Sequence, residues 1–404
     1  MSVNNNKKWC HQSLLKSAAF VCILNLVLFM VRFQGLPQPK SDFVINEYRQ
    51  KYQGTLMNSS SDMGAEVSAS SPPSESLMPI KQQCGVEKDD ESNTFSFRGT
   101  WVENPSLGAA LDEQQQELGC KQPLLSPYNT HRCCSERGTD YLQSTFCPEM
   151  DTTQAIHSFL NATQRKTVLF LGDSMTETMF ASVGLAMRAL QIPFRHIVKK
   201  NQYEELYVVP SSNTTIRLIK AYRLDDVNRT GMNIQEPNST HFIKDDILQA
   251  ALQQTHVFLS NFGLHHWGKP EYHYRQYKHV QELVLRENKL RSNPLCLLWR
   301  RTMPQHFASK TGGGEWGDRV PTFGSYGCVP LNRTWHHPSD QALARIQREF
   351  NHSTATLDFT SILQDAHEFH SRRKGADCSH MCYSPLIWNP ILHVTAQAIQ
   401  QSCH

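Results

Sequence analysis

The feature that most constrains the fold is an alternation of short apolar runs and helix-compatible stretches that begins at residue 167. The run TVLFLG over residues 167–172 is typical of a buried parallel strand, and a helix-compatible stretch over residues 176–190 follows it. This alternation predicts an α/β fold with a mainly parallel sheet and helices on both faces. Further strands are predicted at residues 205–209, 215–221, 256–260, 295–300 and 354–359, and further helices at residues 245–254, 274–288, 338–350 and 391–401.

Composition and charge narrow the class of protein. The 404 residues are 39% hydrophobic, so the chain can bury a sizeable core. The formal net charge is only +3, with acidic and basic residues mixed along the chain. A nucleic-acid-binding protein usually carries a basic patch or run, so we expect no nucleic-acid partner.

The N-terminus contains a targeting segment. Lys7, Lys8 and Lys16 precede an uncharged apolar stretch over residues 17–31. The stretch is short for a spanning helix, so a cleaved signal peptide is the alternative, but no small-residue cleavage pattern follows it. The preceding lysines favour a cytosolic N-terminus. We therefore predict that residues 1–32 are a cytosolic tail and signal anchor of a single-pass type II protein in the Golgi or endoplasmic reticulum membrane.

A luminal location predicts glycosylation and disulfide bonds. Ten of the twelve cysteines follow the apolar stretch, which permits up to five disulfides whose pairing stays open. A zinc site is the alternative, but the chain has no CxxC pair and no HExxH, so we expect no metal. N-x-S/T acceptor sequences begin at Asn58, Asn161, Asn213, Asn228, Asn238, Asn332 and Asn351.

Three regions follow the predicted anchor. Residues 33–95 are rich in Ser, Pro and Gln, which is typical of a stem that holds a folded head away from a membrane. Residues 96–165 are rich in cysteine and predict a disulfide-stapled N-terminal cap. Residues 166–404 contain the alternating strands and helices, and we predict that they form the catalytic domain.

A serine follows the first predicted strand in the sequence Gly172-Asp173-Ser174. Ligands of open α/β sheets gather at the carboxyl ends of strands, and a helix N-terminus there favours a developing oxyanion. The alternative is a turn in which Asp173 or Ser174 only caps the helix.

A serine nucleophile needs a base and a group that orients the base. Asp377 and His380 have the spacing that places both side chains on one side of a helical turn, where the carboxylate can fix the imidazole tautomer. An aspartate three residues before a histidine is also common on protein surfaces, which is the alternative reading.

A third polar motif, SNFGLHHW, follows a predicted strand. The Asn261 amide can donate a hydrogen bond to an oxyanion, although Asn and Gly also form ordinary turns. Trp267 can pack against the apolar face of a sugar ring or belong to the core.

The order of these motifs resembles the SGNH (GDSL-like) hydrolase superfamily. DCSHMC followed by Trp388-Asn389 is similar to the DCSHWC…WN ending of the plant trichome-birefringence-like polysaccharide O-acetyltransferases. RTMPQHF, SNFGLHHW, GTWV and RCCSERGTDY also resemble blocks of that family, in the same order, from about residue 97 to residue 404.

This resemblance implies an SGNH hydrolase-like three-layer sandwich and a role for each matching residue. It makes Ser174 the nucleophile, His380 the general base and Asp377 its orienting acid. Oxyanion donors would come from the Ser174 backbone N–H, Asn261, Gly172 and Gly263, and substrate contacts or braces of the site from Trp267, Arg301 and His306.

The function that the resemblance implies is a luminal carbohydrate O-acetyltransferase that works through an acyl-serine. Its partners would be a glycan or polysaccharide acceptor, the membrane and a membrane protein that supplies the acyl donor. No cofactor is implied, although acetyl-CoA can serve as a co-substrate. A carbohydrate O-acetylesterase of the same fold and a catalytically silent glycan-binding protein are the alternatives.

Overall fold

The computed structural model describes the part of the chain that contains the predicted sheet. Its described residues are 84–99, 101–103, 144–146, 150–199, 204–221, 223–224, 242–264, 270–315, 317, 319–320, 327–370 and 377–403. All of them belong to one compact unit, Pro79–His404. The predicted anchor and most of the predicted stem and cap lie outside them.

A nine-stranded sheet forms the centre of this unit. Its strands are β1 (Gly85–Asp89), β2 (Thr94–Arg98), β5 (Thr167–Gly172), β6 (Arg195–Lys199), β7 (Glu204–Val209), β8 (Thr214–Lys220), β11 (Val257–Asn261), β12 (Cys296–Arg300) and β13 (Ala355–Leu357). They lie in the order β1-β2-β13-β12-β11-β5-β8-β7-β6. The five pairings from β2 to β8 are parallel, and the pairings at the two edges are antiparallel. Two small sheets pair β3 (Trp101–Glu103) with β4 (Ser144–Phe146) and β9 (Arg223–Leu224) with β10 (Phe242–Ile243).

Helices cover both faces of the sheet. The first face packs against α1 (Thr152–Ala162), α2 (Ser174–Ala189), α6 (Thr360–Leu363) and α7 (Pro385–Ser402). The second face packs against α3 (Asp245–Gln253), α4 (Pro270–Asn288) and α5 (Pro338–Glu349). The predicted α/β class with a mainly parallel sheet is therefore confirmed.

Strand β5 is apolar and buried from Val168 to Leu171 because it lies inside the sheet, between β11 and β8. Successive side chains of a strand point to opposite faces. Val168 and Phe170 belong to the core on the first face, and Leu169 and Leu171 belong to the core on the second. Since β8 pairs on one side of β5 and β11 on the other, the connections diverge at the carboxyl end of β5, where α/β sheets place their ligands.

The observed elements differ from the predicted ones at several ends. Helix α4 begins at Pro270 and α7 at Pro385, earlier than the predicted residues 274 and 391. The predicted stem, residues 33–95, overlaps the sheet over β1 and the start of β2, because β2 pairs with β13. Within the predicted cap, residues 152–162 form α1, which Asp151 caps by accepting a hydrogen bond from the backbone N–H of Gln154 at 2.6 Å.

Disulfides and acceptor asparagines are visible in the described ranges. Cys296 pairs with Cys403 and Cys328 pairs with Cys378, and Cys84 and Cys382 are also disulfide-bonded. The acceptor sites at Asn161, Asn213, Asn332 and Asn351 are exposed, whereas Asn58, Asn228 and Asn238 lie outside the described residues. Among the helices that the structure describes, none has the length and apolar character needed to span a bilayer.

Candidate active site

Ser174 is the first residue of α2 and follows the carboxyl end of β5 directly. The buried Asp173 side chain caps the helix by accepting hydrogen bonds from the backbone N–H groups of Met175 and Thr176, at 3.0 and 3.3 Å. Its other carboxylate oxygen accepts from the Leu264 N–H at 3.2 Å. The cap leaves Ser174 half-buried at the edge of the sheet, with its hydroxyl available for other contacts.

The structure brings Ser174, His380 and Asp377 together. His380 Nε2 lies 2.5 Å from Ser174 Oγ, although the two residues are 206 positions apart. His380 Nδ1 is hydrogen-bonded to the Asp377 carboxylate. The side chains of His380 and Asp377 are 21% and 16% exposed, so a small molecule could reach the histidine.

The Asp377 carboxylate determines which ring nitrogen of His380 carries the proton. Burial acts to raise the pKa of Asp377, but the hydrogen bond and the charge of His380 outweigh burial and hold the pKa well below its ordinary value. The carboxylate also accepts hydrogen bonds from the backbone N–H groups of Ser379 and His380, at 3.0 and 3.4 Å. Because a carboxylate only accepts, the His380 proton sits on Nδ1 and leaves Nε2 free to accept the Ser174 proton.

A neighbouring segment holds the loop that carries Asp377 and His380. The Gln305 amide donates to Ser379 Oγ at 2.6 Å, and the His306 backbone N–H donates to the Cys378 carbonyl at 2.9 Å. The Cys328–Cys378 disulfide joins the same loop to a second segment. Gln305 and His306 of the RTMPQHF block therefore hold the loop that carries Asp377 and His380.

Asn261 does not present a free donor to Ser174. Its amide nitrogen donates to the Arg300 carbonyl at 2.7 Å and lies 3.4 Å from Thr302 Oγ1, and its amide oxygen accepts from the Gly263 N–H at 3.0 Å. Since Asn261 is fully buried and both ends of its amide are engaged, its geometry is that of a brace between β11 and β12. The Gly263 N–H is committed to the same contact, so neither residue offers the oxyanion donor that the sequence predicted.

Gly172 allows β5 to pack closely against Asn261 and Thr176. A Cβ atom on Gly172 would lie 2.3 Å from the Asn261 carbonyl oxygen and 2.4 Å from Thr176 Oγ1. The backbone N–H of Ser174 meets no acceptor among the described residues. It lies at the start of α2, where the helix dipole favours negative charge, and it is therefore the oxyanion donor that this geometry supports.

Arg300 is a residue of the site that the sequence did not reveal. Its guanidinium is fully buried, lies 3.7 Å from Asp173 and donates to Thr176 Oγ1 at 3.1 Å. Burial lowers the pKa of Arg300, and the Asp173 charge partly offsets this shift. The pair joins the end of β12 to the start of α2. An arginine at the end of the apolar run CLLWR is a sequence signal for a buried charge. The sequence does not show that Asp173 is the partner that allows Arg300 to be buried.

The three predicted substrate contacts have different positions. Arg301 pairs with Asp358 and lines a groove of about 600 Å³ between β2, β13 and α5. His306 is fully buried and both ring nitrogens have partners, so its side chain is not exposed to a substrate. Its backbone N–H holds the loop of Asp377 and His380 through the Cys378 carbonyl. Trp267 lies outside the described residues.

Comparisons with known proteins add no assignment. No protein-family model matches the chain, and no curated protein matches it either. A solved structure of an ADP-ribosylation-factor-like GTP-binding protein, the small COPII coat GTPase SAR1 from Encephalitozoon cuniculi with GDP, is 10% identical, and the match covers 62% of this chain and 92% of that chain. Its TM-score is 0.24, which carries no conclusion about fold or function.

Proposed function

We propose that the chain is a carbohydrate O-acetyltransferase that works through an acyl-serine at Ser174. The observation that carries this proposal is the continuous hydrogen-bond chain from Ser174 Oγ through His380 to Asp377. A hydroxyl, an imidazole and a carboxylate in this order are the groups that serine acyl transfer needs. The placement of Ser174 at a helix N-terminus supports the same reading.

The proposed reaction has two displacements. In the first, His380 Nε2 takes the Ser174 proton, Ser174 Oγ bonds to the acyl carbonyl carbon, and the donor leaves with that proton while the Ser174 N–H stabilises the oxyanion. In the second, His380 takes the proton of a sugar hydroxyl, whose oxygen bonds to the acyl carbon. Ser174 Oγ then leaves and recovers a proton from His380, and Asp377 stabilises the transient imidazolium in both steps.

The fold that accompanies this function is proposed to be an SGNH hydrolase-like three-layer sandwich. Helices on both faces of a largely parallel sheet support it, and so does the position of Ser174 after the central strand. The order of the sequence blocks that resemble the polysaccharide O-acetyltransferases favours transfer to a glycan.

The proposed location is the lumen of the Golgi or endoplasmic reticulum, with a type II anchor over residues 1–32. Exposure of the described acceptor asparagines and the presence of disulfides suit an oxidising compartment. Acetyl-CoA or a membrane protein would supply the acyl group, and a glycan or polysaccharide would accept it.

An esterase uses the same triad, because water can replace the sugar hydroxyl in the second displacement. The experiment is mass spectrometry of glycans incubated with the full chain and either an acetyl donor or pre-acetylated glycans. Ser174→Ala is compared with Ser182→Ala, a matched control eight residues further along α2. Ser174-dependent gain of acetyl groups supports transfer, and Ser174-dependent loss without transfer supports the esterase. No Ser174-dependent change would reject both enzymes and favour a silent glycan-binding protein.

A further inference from the structure

Two buried histidines extend the hydrogen-bond network behind the catalytic loop. His306 Nε2 lies 2.9 Å from the Gln364 carbonyl oxygen, and His306 Nδ1 lies 2.7 Å from His370 Nε2. His370 Nδ1 lies 2.9 Å from the His380 carbonyl oxygen. The two rings are 0% and 1% exposed. The network therefore starts in the core and ends on the backbone of the residue proposed as general base.

The hydrogen bonds of His306 and His370 determine how many ring protons the two side chains must carry together. Carbonyl oxygens only accept hydrogen bonds, so His306 Nε2 and His370 Nδ1 must both carry a proton. The contact between the two rings needs a further proton. Two neutral imidazoles hold only two protons in total. All three hydrogen bonds can therefore form together only when the pair holds one additional proton and a single positive charge.

The neutral pair must open one of the three contacts. If both outer protons stayed in place, the two inner nitrogens would face each other as lone pairs at 2.7 Å. Both outer contacts join a buried ring to the carbonyl oxygen of a half-buried residue, Gln364 or His380. Only opening of the His380 contact would alter the position of the proposed base.

Neighbouring charges determine when the pair takes up the proton. Burial lowers the pKa of His370 to about 4, while its bond to the His380 carbonyl and the Asp377 charge act in the opposite direction. Burial also lowers the pKa of His306 well below its ordinary value. His380 and His367, whose ring centre lies 6.3 Å from that of His306, oppose a positive charge on the pair. These are the charged and titratable groups that face the pair among the described residues.

We propose that His306 and His370 act as a one-proton pair that positions the general base: the proton-bound pair holds the His380 carbonyl, and loss of the proton releases it. This inference rests on the proposed role of His380. His370 is a positioning residue, since it reaches the reacting atoms only through His380. The orientation of the base then depends on proton binding at a place that no substrate touches.

Two substitutions of His370 separate its two contacts. Asparagine places an amide near the position of Nδ1, so His370→Asn keeps a donor for the His380 carbonyl at every pH but does not reach His306. Glutamine places an amide near the position of Nε2, so His370→Gln keeps the contact to His306 and loses the His380 carbonyl. Neither variant can share the extra proton between two rings, because only the His306 imidazole is left. His393→Gln, on α7 and in ring contact with Phe97, is the control for loss of a histidine.

The activity readout is the rate at which a fluorophosphonate labels Ser174 of the full chain between pH 3.5 and 7.5, a range that includes the pKa of about 4 of His370, with folding checked by circular dichroism. The ratio of the His370→Asn rate to the native rate should rise at least threefold with pH, because only the native pair releases the carbonyl. His370→Gln should be at least fivefold slower than His370→Asn at every pH. Parallel profiles of labelling rate against pH for the native chain, His370→Asn and His370→Gln would overturn the proposal.

A readout without activity counts the proton directly. Histidine ring resonances of a ¹³C-labelled full chain are followed with pH, and His306→Gln and His370→Asn identify the two signals. Both signals should move with one common midpoint and one proton in total, and the His380 signal should follow. Two independent protons, or no uptake before unfolding, would overturn the pair. If Ser174 of the native chain is not labelled, the proposed function fails, whereas these resonances still decide the pair and its link to His380.

Discussion

Replacing Asp377 with asparagine should reverse the tautomer of His380 with little change to the loop. One carboxylate oxygen of Asp377 accepts from the backbone N–H groups of Ser379 and His380, and the other faces His380 Nδ1. An asparagine oxygen would keep the two backbone contacts, which turns its NH₂ group toward Nδ1. His380 must then accept at Nδ1 and carry its proton on Nε2. That proton points at Ser174, so the base is lost.

The size of the effect follows from those two backbone contacts. To restore the active tautomer, the amide would have to flip and place its NH₂ group against two backbone donors. Each lost hydrogen bond costs about 1–3 kcal/mol, so the flip costs about 2–6 kcal/mol. This penalty corresponds to a rate about 30-fold to about 20,000-fold lower. The same substitution in serine protease triads lowers the rate by about 10⁴, at the upper end of this range.

The assay is the fluorophosphonate labelling rate at pH 7.5, together with urea denaturation. Asp377→Asn should lower the rate at least 30-fold and leave the unfolding midpoint almost unchanged, because the loop contacts survive. Asp358→Asn is the matched control, since Asp358 pairs with Arg301 and does not contact the triad. A labelling rate within threefold of the native rate would refute the assigned tautomer and, with it, the role of Asp377.

Other predictions follow from packing, burial and cross-links. In Gly263→Ala the new Cβ would lie 1.7 Å from Thr302 Oγ1, so urea denaturation should show a loss of about 1–3 kcal/mol. Arg300→Met leaves a buried charge on Asp173 unpaired and should cost about 3–5 kcal/mol in the same measurement. The pKa of His370 is lowered to about 4, so the unfolded chain binds the proton first, and the melting temperature should fall as the pH falls from about 6.5 to about 4. Removing the Cys328–Cys378 link, which spans 50 residues, should cost about 4 kcal/mol and slow labelling, whereas removal of the Cys296–Cys403 link should lower stability but spare labelling.

The central part of the fold could be predicted from the sequence because its strands are buried on both faces. Strand β5 has the predicted bounds, and β11 and β12 differ from prediction by one residue at the ends. Edge strands β1 and β6 carry charged residues and have no continuous apolar run, so periodicity did not reveal them. Helix α7 was predicted too short because Pro390 resembles a helix start, yet the helix continues through it.

The contacts among Ser174, His380 and Asp377 could be predicted because the residue types and their spacing are those of serine acyl transfer, whereas their catalytic role stays a prediction. The direction of the Asn261 amide could not be predicted in the same way. Asn261 is the last residue of β11, one residue beyond the predicted end of that strand, and its amide nitrogen donates to the Arg300 carbonyl and to Thr302 Oγ1. The buried position of Arg300 depends on Asp173, which lies on another segment. Such contacts between distant segments determine whether a polar residue faces the ligand or supports the residue that does.

The Cys328–Cys378 disulfide must form by thiol oxidation directly beside the proposed catalytic residues Asp377 and His380. Cys378 is the neighbour of Asp377, and its partner belongs to a segment 50 residues away along the chain. A newly made chain in a reducing compartment would have the nucleophile on its helix but would lack the covalent tie that holds the acid and base in place. Maturation of the enzyme proposed here would thus be completed by thiol oxidation, and a misplaced, reduced chain would be a poor catalyst even with every residue of the triad intact.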